Sequence, residues 1–310
     1  MSAGVGTGLG TLTLAADIGG TKCLFGLFDG NRLVFERRLA SADFSDFSPA
    51  LDTFLKLAGN VAIAQACLAI AGPIGDSGRH ARLTNLPWQV DAAALEREFK
   101  LPHITLANDF AAAALGAVTS APHDLVTLQQ GETLAAAPRL VVGAGTGLGM
   151  AVVLPEGKGW RLMPSEGGHV AFAPADAQQA ALWSFLQQRH DRVTWERVVS
   201  GPGLAAIHEF ITGEICPADA AGEPALTLFL STYGAFAGDM ALATLARGGV
   251  YLAGGIATEH QPKFASGNFL AAFNAKAEHA DIAARMPIHI ATDPAIGLRG
   301  ARLLAQATIS

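Results

Sequence analysis

The chain has 310 residues, a formal net charge of −6 and three cysteines. This length suffices for two lobes with separate hydrophobic cores, and the negative charge disfavours a nucleic-acid surface, which needs a basic stripe. No apolar run approaches the roughly 18 residues that span a bilayer, and no signal peptide is evident. The scattered cysteines, Cys23, Cys67 and Cys216, indicate small core residues in a reducing compartment. We therefore expect a cytoplasmic protein that binds neither nucleic acid nor membrane.

The first predicted element is a β-hairpin with a glycine-rich tip. Apolar segments of strand character, 12–16 and 23–28, flank the sequence Asp17-Ile18-Gly19-Gly20-Thr21-Lys22. Glycines let backbone N–H groups approach an anion because no Cβ stands in the way, and consecutive N–H groups can form an anion-binding nest. This tip is therefore a candidate phosphate-binding turn.

Beyond the hairpin, apolar runs alternate with helical patterns. The predicted elements up to the middle of the chain are a strand over 62–71, a helix over 92–100, a strand over 103–107 and a helix over 110–118. Asp91 is the expected N-cap of the first helix. The second strand ends directly at Asn108-Asp109. The turn-like segment 119–124, which contains Pro122, is the predicted lobe boundary.

A second hairpin with a glycine tip is predicted in the next segment. Apolar residues over 140–142 and 150–154 flank Gly143-Ala144-Gly145-Thr146-Gly147-Leu148-Gly149. One such hairpin could be an ordinary turn. Two in one chain suggest a duplicated fold that closes on a nucleotide from both sides.

The last third is predicted to continue the alternation. Its elements are a helix over 225–247 ended by Gly248-Gly249, a strand over 250–253 ending at Gly254-Gly255, a strand over 287–292 and a helix over 297–307. Strand–helix alternation favours α/β lobes with mixed sheets. We predict a small lobe over 1–119, completed by the C-terminal helix at 297–310, and a large lobe over 120–296.

Other glycine patterns in the chain do not indicate a phosphate-binding site. Gly6-Thr7-Gly8-Leu9-Gly10 repeats the letters of Gly145 to Gly149, but no strand precedes it, so we expect a terminal tail. The chain lacks Gly-x-x-x-x-Gly-Lys-Ser/Thr, and neither cluster has Gly-x-Gly-x-x-Gly before a helix. These absences disfavour a P-loop NTPase and a dinucleotide oxidoreductase.

In their order along the chain, the motifs resemble those of the bacterial glucokinase family, within the actin-like ATPase superfamily. The resemblance runs from about Leu14 to the final helix. Besides the two hairpins, its motifs are Leu83-Thr-Asn-Leu-Pro-Trp88, Asn108-Asp109, Glu166-Gly-Gly-His169, Trp195-Glu196-Arg-Val-Val-Ser-Gly201 and Val250-Tyr-Leu-Ala-Gly-Gly-Ile256.

The resemblance implies a fold and an activity. The fold would be a two-lobed actin-like (ribonuclease H-like) α/β fold with mixed sheets and an active-site cleft between the lobes. The activity would be ATP-dependent phosphorylation of glucose at its 6-hydroxyl, yielding glucose 6-phosphate for glycolysis. Mg²⁺ would accompany ATP, and a homodimer is the usual assembly. Closure of the lobes around the sugar is expected to exclude water as a competing nucleophile.

Phosphoryl transfer requires a base for the proton of the attacking hydroxyl. Asp109 lies at a strand end beside a polar partner, so it is the candidate base, and the resemblance makes the sugar 6-hydroxyl its target. The alternative is that Asn108-Asp109 only caps the following helix; both roles are compatible. Asn108 would hydrogen-bond a neighbouring ring hydroxyl.

Three further residues complete the sugar-binding set that the resemblance implies, namely Glu166, His169 and Glu196. The two glycines between Glu166 and His169 allow a tight turn that directs both side chains to one place. Taken alone, this pair could be a surface turn or a metal site, but 170–179 lacks the zinc-binding cysteines of the related repressor–open reading frame–kinase group. Glu196 could instead lie on the charged face of a helix capped by Thr194.

The candidate nucleotide-binding residues belong to three glycine elements. Asp17 would orient Mg²⁺ through water, since Mg²⁺ retains several waters when phosphates supply the other ligands. Lys22 would add charge or be solvated. The full set is Asp17, Gly19, Gly20, Thr21 and Lys22 on the first hairpin, Gly145, Thr146 and Gly147 on the second, and Gly254 and Gly255, against which adenosine would lie.

Two other functions remain open from the sequence. A kinase of the same build could act on mannose, fructose or an amino sugar, and the phosphoryl donor could be polyphosphate. A catalytically idle sugar sensor is disfavoured because Asp17, Asp109 and Thr146 are all present.

Overall fold

The computed structural model describes residues 11–59 and 61–307, so the Gly6–Gly10 sequence lies outside the described residues. The chain divides into two compact units. Unit 1 comprises Met1–Thr119 and Pro294–Ser310, and unit 2 comprises Ser120–Asp293. Each unit combines one main sheet with helices. The predicted α/β class is confirmed.

The strands and helices have the following bounds. The strands are β1 (Leu12–Ile18), β2 (Lys22–Asp29), β3 (Arg32–Ala40), β4 (Ile63–Ile70), β5 (His80–Arg82), β6 (Gln89–Asp91), β7 (Ile104–Asn108), β8 (Leu125–Gln129), β9 (Arg139–Ala144), β10 (Leu148–Glu156), β11 (Gly159–Ser165), β12 (Gly249–Ala253) and β13 (Ile288–Ala291). The helices are α1 (Phe47–Ala58), α2 (Ala92–Phe99), α3 (Asp109–Val118), α4 (Ala177–Gln187), α5 (Gly201–Thr212), α6 (Glu223–Thr244), α7 (Gly255–Glu259), α8 (Gln261–Phe264), α9 (Asn268–Asn274), α10 (Ala280–Ala284) and α11 (Ile296–Ala307).

The main sheet of unit 1 has the strand order β3-β2-β1-β4-β7. β1, β2 and β3 form an antiparallel meander, whereas β4 and β7 run parallel to β1. Parallel neighbours require crossover connections, and α1 and α2 lie in those connections. Phe25 on β2 stacks on Phe54 of α1, with ring centroids 4.9 Å apart. The carboxyl ends of β1 and β7, where Asp17 and Asn108 lie, are thereby held in one sheet.

Helices α3 and α11 contact each other closely in unit 1. A methyl group on Gly300 of α11 would overlap the carbonyl oxygen of Ala112 on α3, and one on Gly116 would overlap that of Ile296. Glycine at these positions lets the two backbones touch. The contact holds α3, whose first residue is Asp109, against the final helix.

The main sheet of unit 2 has the order β11-β10-β9-β12-β13-β8. β9, β12 and β13 are parallel, and the other strands are antiparallel to their neighbours. The core is built around α6. Contrary to the expectation from the sequence, α6 could cross a membrane by length and composition, and it is the only helix in the described ranges that could. However, 72% of its apolar window is buried inside the protein. It is therefore the core helix of unit 2.

Two expectations about local structure need correction. The long helix does not extend to Gly248-Gly249 but ends at Thr244, where Leu245 adopts a left-handed conformation with φ of 47° and caps it. Gly249, with φ of 125°, instead begins β12. Among the cysteines, Cys23 and Cys67 are buried free thiols as expected, whereas Cys216 is only half-buried.

Candidate active site

The first glycine hairpin joins β1 to β2 in unit 1. The Gly19 N–H donates to the carbonyl of Lys22 at 2.9 Å, and the Ser41 Oγ donates to the carbonyl of Gly19 at 3.0 Å. The Ser41 N–H also donates to the carbonyl of Thr21 at 3.0 Å. The Gly19 amide is thus used inside the hairpin. Within the described part of the chain, the Gly20 and Thr21 amides have no hydrogen-bond partner, and they are the donors this tip can offer to an anion.

Asp17 lies at the end of β1, beneath this tip. Burial, together with the smaller effect of the Asp109 charge, raises the pKa of the Asp17 carboxyl to about 6, although the charge of the exposed Lys22 opposes the shift. Gly297, at the start of α11, lies directly against the carboxylate. Ionised Asp17 is therefore only partly compensated in the free protein, and a bound cation would complete the compensation.

The donor set around Asp17 fits Mg²⁺. Among the described residues, no group of three or more His, Cys, Asp or Glu side chains could hold a metal. A site made only of protein ligands is therefore not formed there. Mg²⁺ is usually held by one or two carboxylates, with phosphate oxygens and waters as its other ligands. One half-buried carboxylate beside a candidate phosphate-binding turn matches that pattern.

Asn108 and Asp109 lie where β7 meets α3. The Asn108 Oδ1 accepts hydrogen bonds from the N–H groups of Phe110 at 3.0 Å and Ala111 at 3.2 Å, so Asn108 is the N-cap of α3. The Asp109 Oδ1 accepts from the Phe110 N–H at 2.8 Å. Burial raises the pKa of Asp109, and this hydrogen bond opposes the shift. The capping role thus belongs chiefly to Asn108.

The second glycine hairpin joins β9 to β10 in unit 2. At its tip the Gly145 N–H donates to the carbonyl of Gly147 at 2.9 Å, while exposed Thr146 lies between them. The Gly201 N–H donates to the carbonyl of Gly145 at 2.7 Å. The Leu148 N–H donates to the Glu196 Oε2 at 2.9 Å. The motif that contains Glu196 and Gly201 thus holds both sides of the tip.

The third glycine element lies next to this hairpin. Gly254 follows β12, which runs parallel to β9, and Ala253 pairs with Gly143. Gly254 has φ of 90°, and a methyl group on it would lie 2.7 Å from the carbonyl oxygen of Ala144. Gly255 begins α7. Gly254 and Gly255 therefore lie at the same edge of the sheet as the second hairpin. The carboxyl ends of neighbouring parallel strands are the usual place for ligands in open α/β sheets.

The candidate sugar-binding residues of unit 2 form one cluster. The Nδ1 of His169 is 3.9 Å from the Glu166 Oε2, and its Nε2 is 4.0 Å from the Glu196 Oε1. A pocket of about 400 Å³ opens beside His169 and Glu196. The turn that carries Glu166 and His169 packs on β10 through Gly167 and Gly168. The structure therefore brings these three side chains together.

Glu196 does not lie on the charged face of a helix capped by Thr194, which was the alternative interpretation of its position in the sequence. It lies in a short 3-10 turn, Trp195–Arg197, and the Thr194 side chain makes no capping hydrogen bond. Its side chain is 31% exposed, compared with 92% for Glu166. Because one carboxylate oxygen accepts from the Leu148 N–H, Glu196 is tied to the second hairpin and does not lie on a solvated helix face.

Three residues at the site were not singled out from the sequence. Ser41 supports the first tip, Asn85 lies against Gly20, and Gly297 lies against Asp17. Asn85 belongs to the 83–88 motif that carries the resemblance, so it could have been named. Ser41 lies in no motif, and no pattern in the sequence indicated it.

The predicted residues thus fall into two groups. The set in unit 1 comprises Asp17, Gly19, Gly20, Thr21, Lys22, Asn108 and Asp109, and the set in unit 2 comprises Gly145, Thr146, Gly147, Glu166, His169, Glu196, Gly254 and Gly255. The first contains two half-buried carboxylates and a glycine turn with two amides that are unpaired among the described residues. The second contains two glycine elements and a polar cluster suited to hydroxyl groups.

Comparisons with known proteins agree on one family. The family model described as Glucokinase matches residues 14–308. The chain is 37% identical to a glucokinase of Trichormus variabilis, with 95% of this chain and 99% of that protein covered. Its structure is similar to that of a glucokinase from an Antarctic psychrotroph, with a TM-score of 0.85 and 28% identity over 96% of this chain and 99% of that one. A Balamuthia mandrillaris glucokinase, solved in complex with glucose, shares the fold with a TM-score of 0.81 and 22% identity over 96% and 94% of the chains.

These matches extend over nearly the whole chain and confirm the resemblance that its motifs indicated, together with the actin-like ATPase fold. The chain belongs to the glucokinase family and is a sugar-phosphorylating enzyme of that family.

Proposed function

We propose that this enzyme transfers the γ-phosphoryl group of ATP to the 6-hydroxyl of glucose, with Asp109 as general base. The observation that carries the proposal is the cluster of Glu166, His169 and Glu196 beside the second glycine hairpin, in a chain of the glucokinase family. Carboxylates and imidazole recognise sugar hydroxyls by hydrogen bonding. The product, glucose 6-phosphate, would enter glycolysis in the cytoplasm.

Asp109 is suited to accept a proton from an alcohol. Burial raises its pKa, and a base whose pKa approaches the working pH is more effective. In the transfer, the sugar oxygen forms a bond to the γ-phosphorus, its proton passes to the Asp109 carboxylate, and the bond to the leaving oxygen of ADP breaks. Asn108, fixed as the cap of α3, would hydrogen-bond a neighbouring ring hydroxyl through its side-chain amide.

The nucleotide would be bound by the glycine elements. The free amides of Gly20 and Thr21 are proposed to donate to the phosphates, together with the tip 145–147. Gly254 and Gly255 would leave room for the adenosine. Mg²⁺, when bound with ATP, neutralises phosphate charge, and Asp17 would hold it through water.

A coupled assay of ADP release tests the proposal. The purified enzyme is given ATP and magnesium with glucose, mannose, fructose or N-acetylglucosamine, and the reaction is repeated with polyphosphate as donor and glucose 6-phosphate as the measured product. We expect turnover with ATP and glucose, and little with the other sugars. Preference for another hexose would overturn the substrate assignment. Absence of turnover with every pair would favour a sugar sensor.

A further inference from the structure

We propose that Glu196 couples sugar binding to nucleotide binding, because a single carboxylate belongs to the sugar-binding cluster and also braces the second phosphate hairpin. The inference rests on the proposed function and adds to it a positioning role for this residue. All the contacts that carry it lie within unit 2.

The two oxygens of the Glu196 carboxylate have different neighbours. The Oε2 accepts the hydrogen bond from the Leu148 N–H at 2.9 Å, at the first residue of β10 after the hairpin tip. A methyl group on Gly147 would lie 2.7 Å from the same oxygen. The Oε1 lies 4.0 Å from the Nε2 of His169. One oxygen therefore holds the hairpin, and the other faces the sugar-binding cluster.

The backbone that carries Glu196 is itself fixed to the hairpin and the core. Trp195 is 2% exposed and packs edge-on against Phe172, with ring centroids 4.8 Å apart. The Ser200 Oγ donates to the carbonyl of Glu196 at 2.7 Å, and the Gly201 N–H donates to the carbonyl of Gly145. The backbone of Glu196 is therefore held in place by packing and hydrogen bonds. Restricting its side chain should then restrict the Leu148 N–H at the hairpin tip.

A sugar hydroxyl that donates to the Oε1 would restrict the side-chain rotamers of Glu196. The restricted carboxylate would hold the Leu148 N–H more of the time, so the amides of the tip would be ordered before a phosphate arrives. A nucleotide then loses less conformational freedom on binding. By linkage, nucleotide binding strengthens sugar binding by the same factor, and such couplings are typically about 5- to 150-fold.

Glu166 provides a matched comparison because it belongs to the same cluster but not to the brace. Its side chain is 92% exposed, and its Oε2 lies 3.9 Å from the Nδ1 of His169. Truncating Glu166 removes a sugar contact and leaves the Leu148 hydrogen bond intact. Variants of Glu166 and Glu196 therefore distinguish weaker sugar binding from a loss of coupling between sugar and nucleotide binding.

The test is the affinity for a non-hydrolysable ATP analogue, measured by calorimetry with and without saturating glucose. For the wild type we expect glucose to increase the affinity for the analogue by at least about fivefold. Glu166→Ala should need more glucose for saturation but keep this ratio. Glu196→Ala should reduce the ratio to about one, whereas Glu196→Gln, whose amide oxygen can still accept from Leu148, should restore part of it. An undiminished ratio in Glu196→Ala would overturn the proposal, as would a ratio of one in the wild type.

A second measurement uses the unaltered protein. Glucose alone, without nucleotide, should slow hydrogen exchange in the segment 145–150, because the Leu148 amide becomes more protected. Unchanged exchange at a glucose concentration shown by calorimetry to saturate the protein would contradict the coupling. A protein that binds neither glucose nor the analogue would instead refute the proposed function.

Discussion

The carboxylate of Asp17 lies against the Cα of Gly297. A methyl group added at Gly297 would lie 2.5 Å from the Asp17 Oδ2 and 3.0 Å from its Cγ, although the two residues stand at opposite ends of the chain. Gly297 lies in the first turn of α11. The positive end of a helix dipole favours a negative charge, so this contact supports the ionised carboxylate that the proposed Mg²⁺ site needs.

Gly297→Ala is therefore expected to displace the Asp17 side chain. Because small misplacements of catalytic groups are costly, we expect kcat to fall by about tenfold or more, and the concentration of magnesium that gives half-maximal rate should rise. Gly159→Ala is the matched control, since its methyl group would meet its nearest neighbour at an ordinary 3.8 Å. Steady-state kinetics over a magnesium series checks this. Equal magnesium dependence in both variants would show that the contact has no role.

The raised pKa of Asp17 predicts a specific dependence of stability on pH. The folded carboxyl titrates at about 6, whereas its unfolded value is 3.8. Between these values the folded state binds more protons, so the free energy of unfolding falls as pH rises through this window. The loss amounts to at most about 3 kcal/mol, from about two pKa units at 1.36 kcal/mol each.

Asp17→Asn should remove this loss. In urea unfolding without magnesium or nucleotide, we expect the variant to be little different from the wild type near pH 4 and more stable above pH 7, while its turnover is lost. Asp43→Asn, at an exposed position, serves as the surface control. A stability difference that is the same at every pH would contradict the assignment of this titration to Asp17.

The two hairpins were predictable because glycine tips between apolar strands are a strong local signal. β3 was not predicted, since its sequence contains Glu36, Arg37 and Arg38. These residues are exposed on a strand at the edge of the sheet, where charged side chains are favoured. The end of α6 was predicted wrongly because left-handed Leu245 caps it, and leucine seldom adopts that conformation.

The contact between Glu196 and the second hairpin could not be read from spacing. Glu196 is brought to His169 by tertiary pairing: the Trp195 N–H donates to the carbonyl of Val170 at 3.0 Å, and Ala171 forms an isolated bridge with Thr194. No local periodicity encodes that pairing. The family resemblance indicated Glu196 as a sugar-binding residue. The structure shows in addition that its carboxylate accepts a hydrogen bond from the Leu148 N–H.

Replacement of Asp109 should separate binding from chemistry. In Asp109→Asn the shape is kept and the side-chain oxygen can still accept from the Phe110 N–H, but the base is lost. We expect kcat to fall by about 10²- to 10⁴-fold, with the glucose dissociation constant changed much less. Rapid-quench kinetics and calorimetry on the same sample check this. Near-normal kcat would exclude Asp109 as the base.

Asn108→Ala should differ from Asp109→Asn in its stability. It removes the cap of α3, so we expect a loss of about 1 kcal/mol in the free energy of unfolding together with weaker glucose binding. If Asp109→Asn destabilised the protein as much as Asn108→Ala, the division between capping and catalysis would be wrong.

The turn that carries Glu166 and His169 offers a graded test of the proposed sugar-binding cluster. A methyl group on Gly168 would overlap the carbonyl oxygen of Leu148, whereas one on Gly167 would overlap the Sδ of Met150. A thioether can change rotamer, but a strand carbonyl cannot move without disturbing β10. We therefore expect Gly168→Ala to raise the KM for glucose by about tenfold or more and Gly167→Ala to raise it by only a few-fold. The reverse order would show that the turn does not position the cluster through its contact with β10.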